Sequence, residues 1–200
     1  MHEAYEQMRK SLLQWVEIPD DAWSMMRQIF HVKKIPRQGF LKQPGDTRTV
    51  TVFVCSGLLR YFSGQSDQMQ VNKLFLTEGM FLSPASGCSI SSGSDCGIQA
   101  LEPTVALVAD TDAYNALFEQ HPIFDRLGRK LSTYWLEQNR TLTFQKLNAT
   151  ERYKQLIRQN SDLVQRVPQV HIASYLGITE VSLSRIRRQL AQQARNRRWA

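Results

Sequence analysis

The chain has 200 residues, 42% hydrophobic and 22% charged, which suits a globular protein and excludes fibrous and disordered classes. The net charge of +7 is unevenly placed. Residues 1–150 balance 15 Lys and Arg against 15 Asp and Glu, whereas residues 151–200 carry 10 against 3, so that quarter points toward a polyanionic partner.

The opening stretch, MHEAYEQMRKSLLQW, carries acids and lacks the apolar core of a secretory signal. No run reaches the roughly 18 apolar residues of a membrane span, so a cytoplasmic location is expected. Residues 3–16 predict a short helix on the spacing of Tyr5, Met8, Leu12 and Leu13. A second helix is predicted after Pro19, with Asp20 or Asp21 as its N-cap and Trp23, Met26, Ile29 and Phe30 on its apolar face.

From about residue 32 the period changes to two. VKKI, TVTVFVCSG, LLRYFSG, QVNKLFL, GIQAL and TVALVAD predict short strands separated by Gly- and Pro-containing turns, the pattern of a β-sandwich, jelly-roll or barrel. The intervening SPASGCSISSGSDCG predicts a loop. Cys55, Cys88 and Cys96 form no CxxC pair and no zinc-like spacing, so neither a metal nor another cofactor is expected.

TDAYNALFEQH predicts a helix, and a long one follows Pro122 to about Asn148. Phe124, Leu127, Leu131, Trp135, Gln138 and Leu142 recur along it at steps of three and four. So narrow a stripe predicts a seam against the same helix of a second copy, a homodimer, rather than packing on the chain's own β-domain. Asn148-Ala149-Thr150 breaks the pattern, with Thr150 as the expected cap of a new helix. The expected units are residues 1–121, a seam helix at 122–148 and a C-terminal domain at 149–200.

That last domain contains QVHIASYLGITEVSLSRIRRQ, residues 169–189. Five spacing conditions of a helix-turn-helix are met together. Pro168 starts the first helix, and Ala173 is small where the second helix presses on it. Gly177, four positions later, accepts the turn's positive φ. Ile172, Leu176, Ile178, Leu183 and Ile186 point into the angle between the helices, and Thr179 caps the second.

The outward face of that second helix is expected to enter the major groove of double-stranded DNA through Glu180, Val181, Ser182, Ser184, Arg185, Arg188 and Gln189. Arg185 can offer two donors to guanine, and Glu180 can accept from a cytosine amine. Thr179 leaves the helix N-terminus free to face phosphates. Gln169, His171, Arg195, Arg197 and Arg198 are better placed for the phosphate backbone.

A β-rich domain, a long helix and a helix-turn-helix, in that order, resemble the Crp/Fnr family of bacterial regulators. FVCSGLLRYF, LFLTEGMF, IQALEPTVALVAD, ATERYKQLI and RVPQVHIASYLGITEVSLSRIRRQL carry the resemblance, which spans nearly the whole chain. It implies an α+β fold: a cyclic-nucleotide-binding-like β-roll, a dimerisation helix, and an all-α or winged helix-turn-helix domain. It implies a DNA-binding transcription regulator, with an unidentified small-molecule effector as a further partner.

Three departures qualify the resemblance. Members that bind cyclic nucleotide carry Phe-Gly-Glu and a later Arg-Ser/Thr-Ala. Aligned on Glu78-Gly79 and on Ala100-Leu101-Glu102, these places read Leu82-Ser83-Pro84 and Ser94-Asp95-Cys96, and residues 79–100 contain no Arg or Lys. An unpaired acid beside a buried phosphate is unfavourable, so tight binding of cyclic AMP or cyclic GMP is not expected. No cysteine precedes Cys55, which argues against the family's iron–sulfur sensor. Glu180-Val181 stands where well-known members have Arg-Glu, although Arg185 is kept, so the family's usual operator is not implied.

Catalysis is not expected, because His2, His31, His121 and His171 lie in no nucleophile or metal motif. The alternative to a DNA reader is a small-molecule sensor or protein-interaction module whose helix-turn-helix is vestigial.

Overall fold

The structure, a computed structural model, describes residues 2–64, 70–83, 95–142 and 147–198. Two helices, α1 (His2–Leu13) and α2 (Asp20–Ile29), precede eight strands: β1 (His31–Ile35), β2 (Phe40–Lys42), β3 (Val50–Ser56), β4 (Leu59–Ser63), β5 (Val71–Leu76), β6 (Phe81–Leu82), β7 (Cys96–Ala100) and β8 (Thr104–Asp110). Six helices follow: α3 (Thr111–Gln120), α4 (Ile123–Leu142), α5 (Ala149–Gln159), α6 (Ser161–Arg166), α7 (Gln169–Leu176) and α8 (Glu180–Arg198).

The strands form two antiparallel four-stranded sheets, ordered β1-β8-β3-β6 and β2-β7-β4-β5. Val52, Val54, Leu59, Tyr61, Leu76 and Ile98 are among the side chains that fill the space between them. The first sheet is covered on its other face as well. There Phe53, Cys55, Leu107 and Ala109 pack with Met8 and Leu12 of α1, Trp23 and Met26 of α2, and Leu127 of α4. Burial on both faces explains why TVTVFVC reads as an almost unbroken apolar run. The two shortest strands, β2 and β6, carry too few residues to show a period and were not predicted.

Several caps differ from expectation. Pro19, not Asp20 or Asp21, stands at the N-cap of α2 and makes no side-chain cap, while both acids fall in the first turn and favour the helix dipole. Asn148, not Thr150, caps α5: its side chain accepts from the amide of Glu151 at 3.0 Å. Asn160 then ends α5 and caps α6 through the amide of Leu163 at 3.0 Å, and α6 is a short helix that was not predicted.

The seam expected along α4 is corrected for four of its six residues. Phe124, Leu127, Leu131 and Trp135 are all 2% exposed or less within the single chain. The first three pack with α1–α3, and Trp135 enters the core between the sheets, where its Nε1 donates to the carbonyl of Phe81 at 3.0 Å. A narrow apolar stripe suffices here because a sheet already covered by α1–α3 leaves only a narrow gap for α4 to fill. The side chains of Gln138 and Leu142 lie outside the described residues, as do residues 84–94 of the predicted loop, with Cys88. Leu136 stands on the outward side of α4, 54% exposed.

Among the described residues no helix is long and apolar enough to cross a membrane, and no group of three His, Cys, Asp or Glu residues could hold a metal ion.

Candidate nucleic-acid interface

Helices α7 and α8 meet through the turn Gly177–Thr179. Gly177 closes α7 with φ 64° and ψ 37°, the left-handed conformation in which a side chain is costly, and its amide caps the carbonyl of Ser174 at 3.1 Å. The guanidinium of Arg152 donates to the carbonyl of Leu176 at 2.9 Å and so holds the end of α7 from α5. Ile172, Ala173, Leu176, Leu183 and Ile186 are buried together, and Ile178 packs against them half-buried. Every residue expected in the angle between the helices lies there.

Thr179 Oγ1 accepts from the amide of Ser182 at 3.2 Å, and its hydroxyl shares a 3.0 Å hydrogen bond with that of Ser182. Ser182 is therefore turned into the cap rather than fully outward. Glu180, Val181, Ser184, Arg185, Arg188 and Gln189 are exposed, Val181 to 61%. Positions 181, 185 and 188 follow one another at helical steps, so one edge of α8 carries a methyl-bearing side chain and two guanidinium groups. Arg195 extends the exposed basic surface, and the side chains of Arg197 and Arg198 lie outside the described residues. Residues 149–198 contain helices and no strand, so the all-α form of the domain is the one observed.

His171 is the correction at this site. It was expected on a phosphate. It is half-buried against β5, with Nδ1 3.4 Å from Asn72 Nδ2 and its carbonyl accepting from the same amide at 3.2 Å. Burial, with the nearby charge of Arg60, pushes the imidazole down to about 4, so it is neutral at pH 7 and supplies no cation. Gln169, at the start of α7, is exposed.

Sequence reasoning missed how closely this unit sits on the second sheet. Phe75 of β5 stacks on Tyr175 of α7 with ring centroids 5.2 Å apart. Ser174 Oγ accepts from the amide of Asn72 and donates to the carbonyl of Gln70, both at 3.1 Å. Leu58, Phe75 and Leu101 share one apolar cluster with the helix-turn-helix core. Arg166, at the end of α6, binds Glu78 and Glu102. The hydrogen-bonded and ion-paired partners lie 64 to 104 positions apart in the chain, and no local pattern pairs them.

A two-sheeted antiparallel roll, closed by a long helix and followed by a helix-turn-helix with a free basic edge, is the fold of Crp/Fnr-type regulators, whose β-roll is of the cyclic-nucleotide-binding kind. Solved structures carry that statement. FixK2 from Bradyrhizobium japonicum superposes with a TM-score of 0.67 at 16% identity, over 83% of this chain and 86% of that one. A double mutant of CooA from Carboxydothermus hydrogenoformans gives 0.62 at 18% identity, over 92% and 84%. CLP from Xanthomonas campestris, a c-di-GMP-responsive global regulator, gives 0.62 at 17% identity, over 88% and 93%. No protein-family model matches the chain, and no curated protein matches it in sequence.

Proposed function

We propose that the chain is a sequence-specific DNA-binding transcription regulator of the Crp/Fnr type, a binding protein rather than an enzyme. The observation that carries this reading is the edge of α8. Leu183 and Ile186 are buried beneath it while Glu180, Val181, Arg185 and Arg188 stand free, so the helix is anchored by one side and open to a groove by the other. Arg185 and Glu180 read base edges, Val181 offers an apolar surface to a thymine methyl, and Arg188 reaches a phosphate. Thr179, Ser182, Ser184 and Gln169 line the approach.

The regulator works as a homodimer on a two-fold-related site. With Phe124, Leu127, Leu131 and Trp135 committed to the core, the partner helix packs on the outward side of α4, around Leu136. The β-roll serves as sensor or scaffold and does not take cyclic AMP or cyclic GMP, because residues 79–100 supply no cation for a cyclic phosphate.

Selection of sites from random duplexes, followed by titration of the selected palindrome against salt, tests the reading. Affinity is expected to fall steeply with salt through counterion release. Folded dimer that binds no duplex even at low salt rejects it.

A further inference from the structure

We infer that Arg166 is a clasp by which three turns at one end of the β-roll hold the helix-turn-helix in a single orientation. The roll then addresses the DNA-reading unit directly, and not only through the connection that joins α4 to α5. The consequence for DNA rests on the function proposed above; the clasp itself does not.

The three turns converge on one guanidinium. From the β5–β6 turn, Glu78 takes both terminal nitrogens of Arg166, at 2.8 and 2.9 Å. From the β7–β8 turn, Glu102 takes Nη2 at 2.7 Å and Nε at 3.1 Å. From the β3–β4 turn, the carbonyl of Gly57 accepts from Nη2 at 3.1 Å. A planar fork with five donors suits such a socket, and an ammonium does not.

The socket is also braced by contacts that do not involve the arginine. The amide of Gly57 donates to Glu78 Oε1 at 2.8 Å and aims that carboxylate. Gly57 has φ +95°, and a Cβ there would lie 2.5 Å from both the carbonyl of Pro103 and Thr104 Oγ1, so only glycine lets the turns approach. The amide of Leu101 donates to the carbonyl of Leu58 at 2.8 Å and ties the β7–β8 turn to the β3–β4 turn. Without Arg166 two carboxylates would face the same point and repel, so the socket demands a cation.

A second row of contacts gives the docked unit its direction. β5 is an edge strand, and edge amides call for partners. Ser174 of α7 takes the amide of Asn72, and Tyr175 covers Phe75. Arg166 stands two residues before Pro168, so the clasp holds the chain where it enters α7. None of this covers α8, whose reading edge stays exposed. The clasp therefore sets where α8 points rather than hiding it. In a dimer, it sets the distance between two half-sites.

Full-length protein carrying Glu78→Gln with Glu102→Gln keeps both side-chain shapes and removes both charges. Amide exchange in residues 161–176 and in β5 is expected to quicken by ~10-fold or more while exchange in the β3–β8 pair is unchanged. On palindromes differing by one base pair in half-site spacing, discrimination of about 10-fold by the native protein is expected to fall below about 3-fold in the variant. Arg166→Glu should behave likewise, and adding Glu78→Arg to it should restore protection, a rescue that misfolding would not permit. Unchanged exchange in both variants overturns the clasp. Native protein that binds no duplex, with exchange still quickened in the variants, rejects the DNA reading and supports the clasp.

Discussion

The indole Nε1 of Trp135 donates to the main-chain carbonyl of Phe81 at 3.0 Å, tying the middle of α4 to the short strand β6. Both groups are buried, and the bond fastens the long helix to the roll at the point where its apolar stripe passes from the helical cluster to the space between the sheets. Trp135→Phe leaves the Phe81 carbonyl without that donor and opens a small cavity, and about 1–3 kcal/mol of stability should be lost. Urea unfolding measures the loss. Sedimentation should show the dimer unchanged by Trp135→Phe and weakened by Leu136→Glu. The opposite pattern would return the seam to the buried stripe.

Two glycines separate steric demand from backbone demand. A Cβ on Gly177 meets nothing within 4 Å, so Gly177→Ala bears only the left-handed backbone, about 1 kcal/mol, and Gly177→Asn should bear less. Gly57→Ala adds a collision with the Pro103 carbonyl to a φ of +95°, and should lose more than about 2 kcal/mol. Thermal unfolding of the three variants ranks them. Equal losses at 57 and 177 would refute the distinction.

His171 makes the docking of α7 dependent on pH. Its folded value of about 4 lies below the ordinary 6.5, chiefly through burial and then through Arg60. Between those values the unfolded or undocked chain binds more protons, so stability rises with pH from about 4 to about 6.5 and levels above it. Glu78 acts at lower pH. Its hydrogen bond to Arg166 holds it down at about 2, so the clasp is complete above about 4.5 and fails as pH falls toward 2. Protection factors in α7, which divide out the intrinsic pH dependence of amide exchange, should therefore fall on acidification below pH 6.5. His171→Gln should remove that first fall and leave the second.

Arg185 and Arg188, two of the exposed arginines of α8, should be separable by salt. Arg185→Ala should cost about 1–3 kcal/mol on the selected site and relax preference at one base position. Arg188→Ala should weaken all sequences alike and lower the salt slope by about 1. Fluorescence anisotropy on matched and mismatched duplexes distinguishes them. Loss of base preference on Arg188→Ala instead would exchange the two roles.

The helix-turn-helix was legible in the chain because its determinants are local. A glycine at a positive φ, a threonine cap and five apolar positions lie within about four turns of helix, and spacing alone specifies them. Six of the eight strands from His31 to Asp110 were legible for the same reason, since a short β-rich run bounded by turn residues is a local pattern, whereas β2 and β6 are too short to show one. What the tertiary structure decided were meetings across long stretches of chain. An apolar stripe states that a helix buries a face, not against what, and only the tertiary structure sends Phe124, Leu127 and Leu131 against α1–α3 and Trp135 between the sheets. His171 reads as an exposed base until β5 covers it, and Arg166 as one more surface cation until three separate turns place Glu78, Glu102 and the Gly57 carbonyl around it.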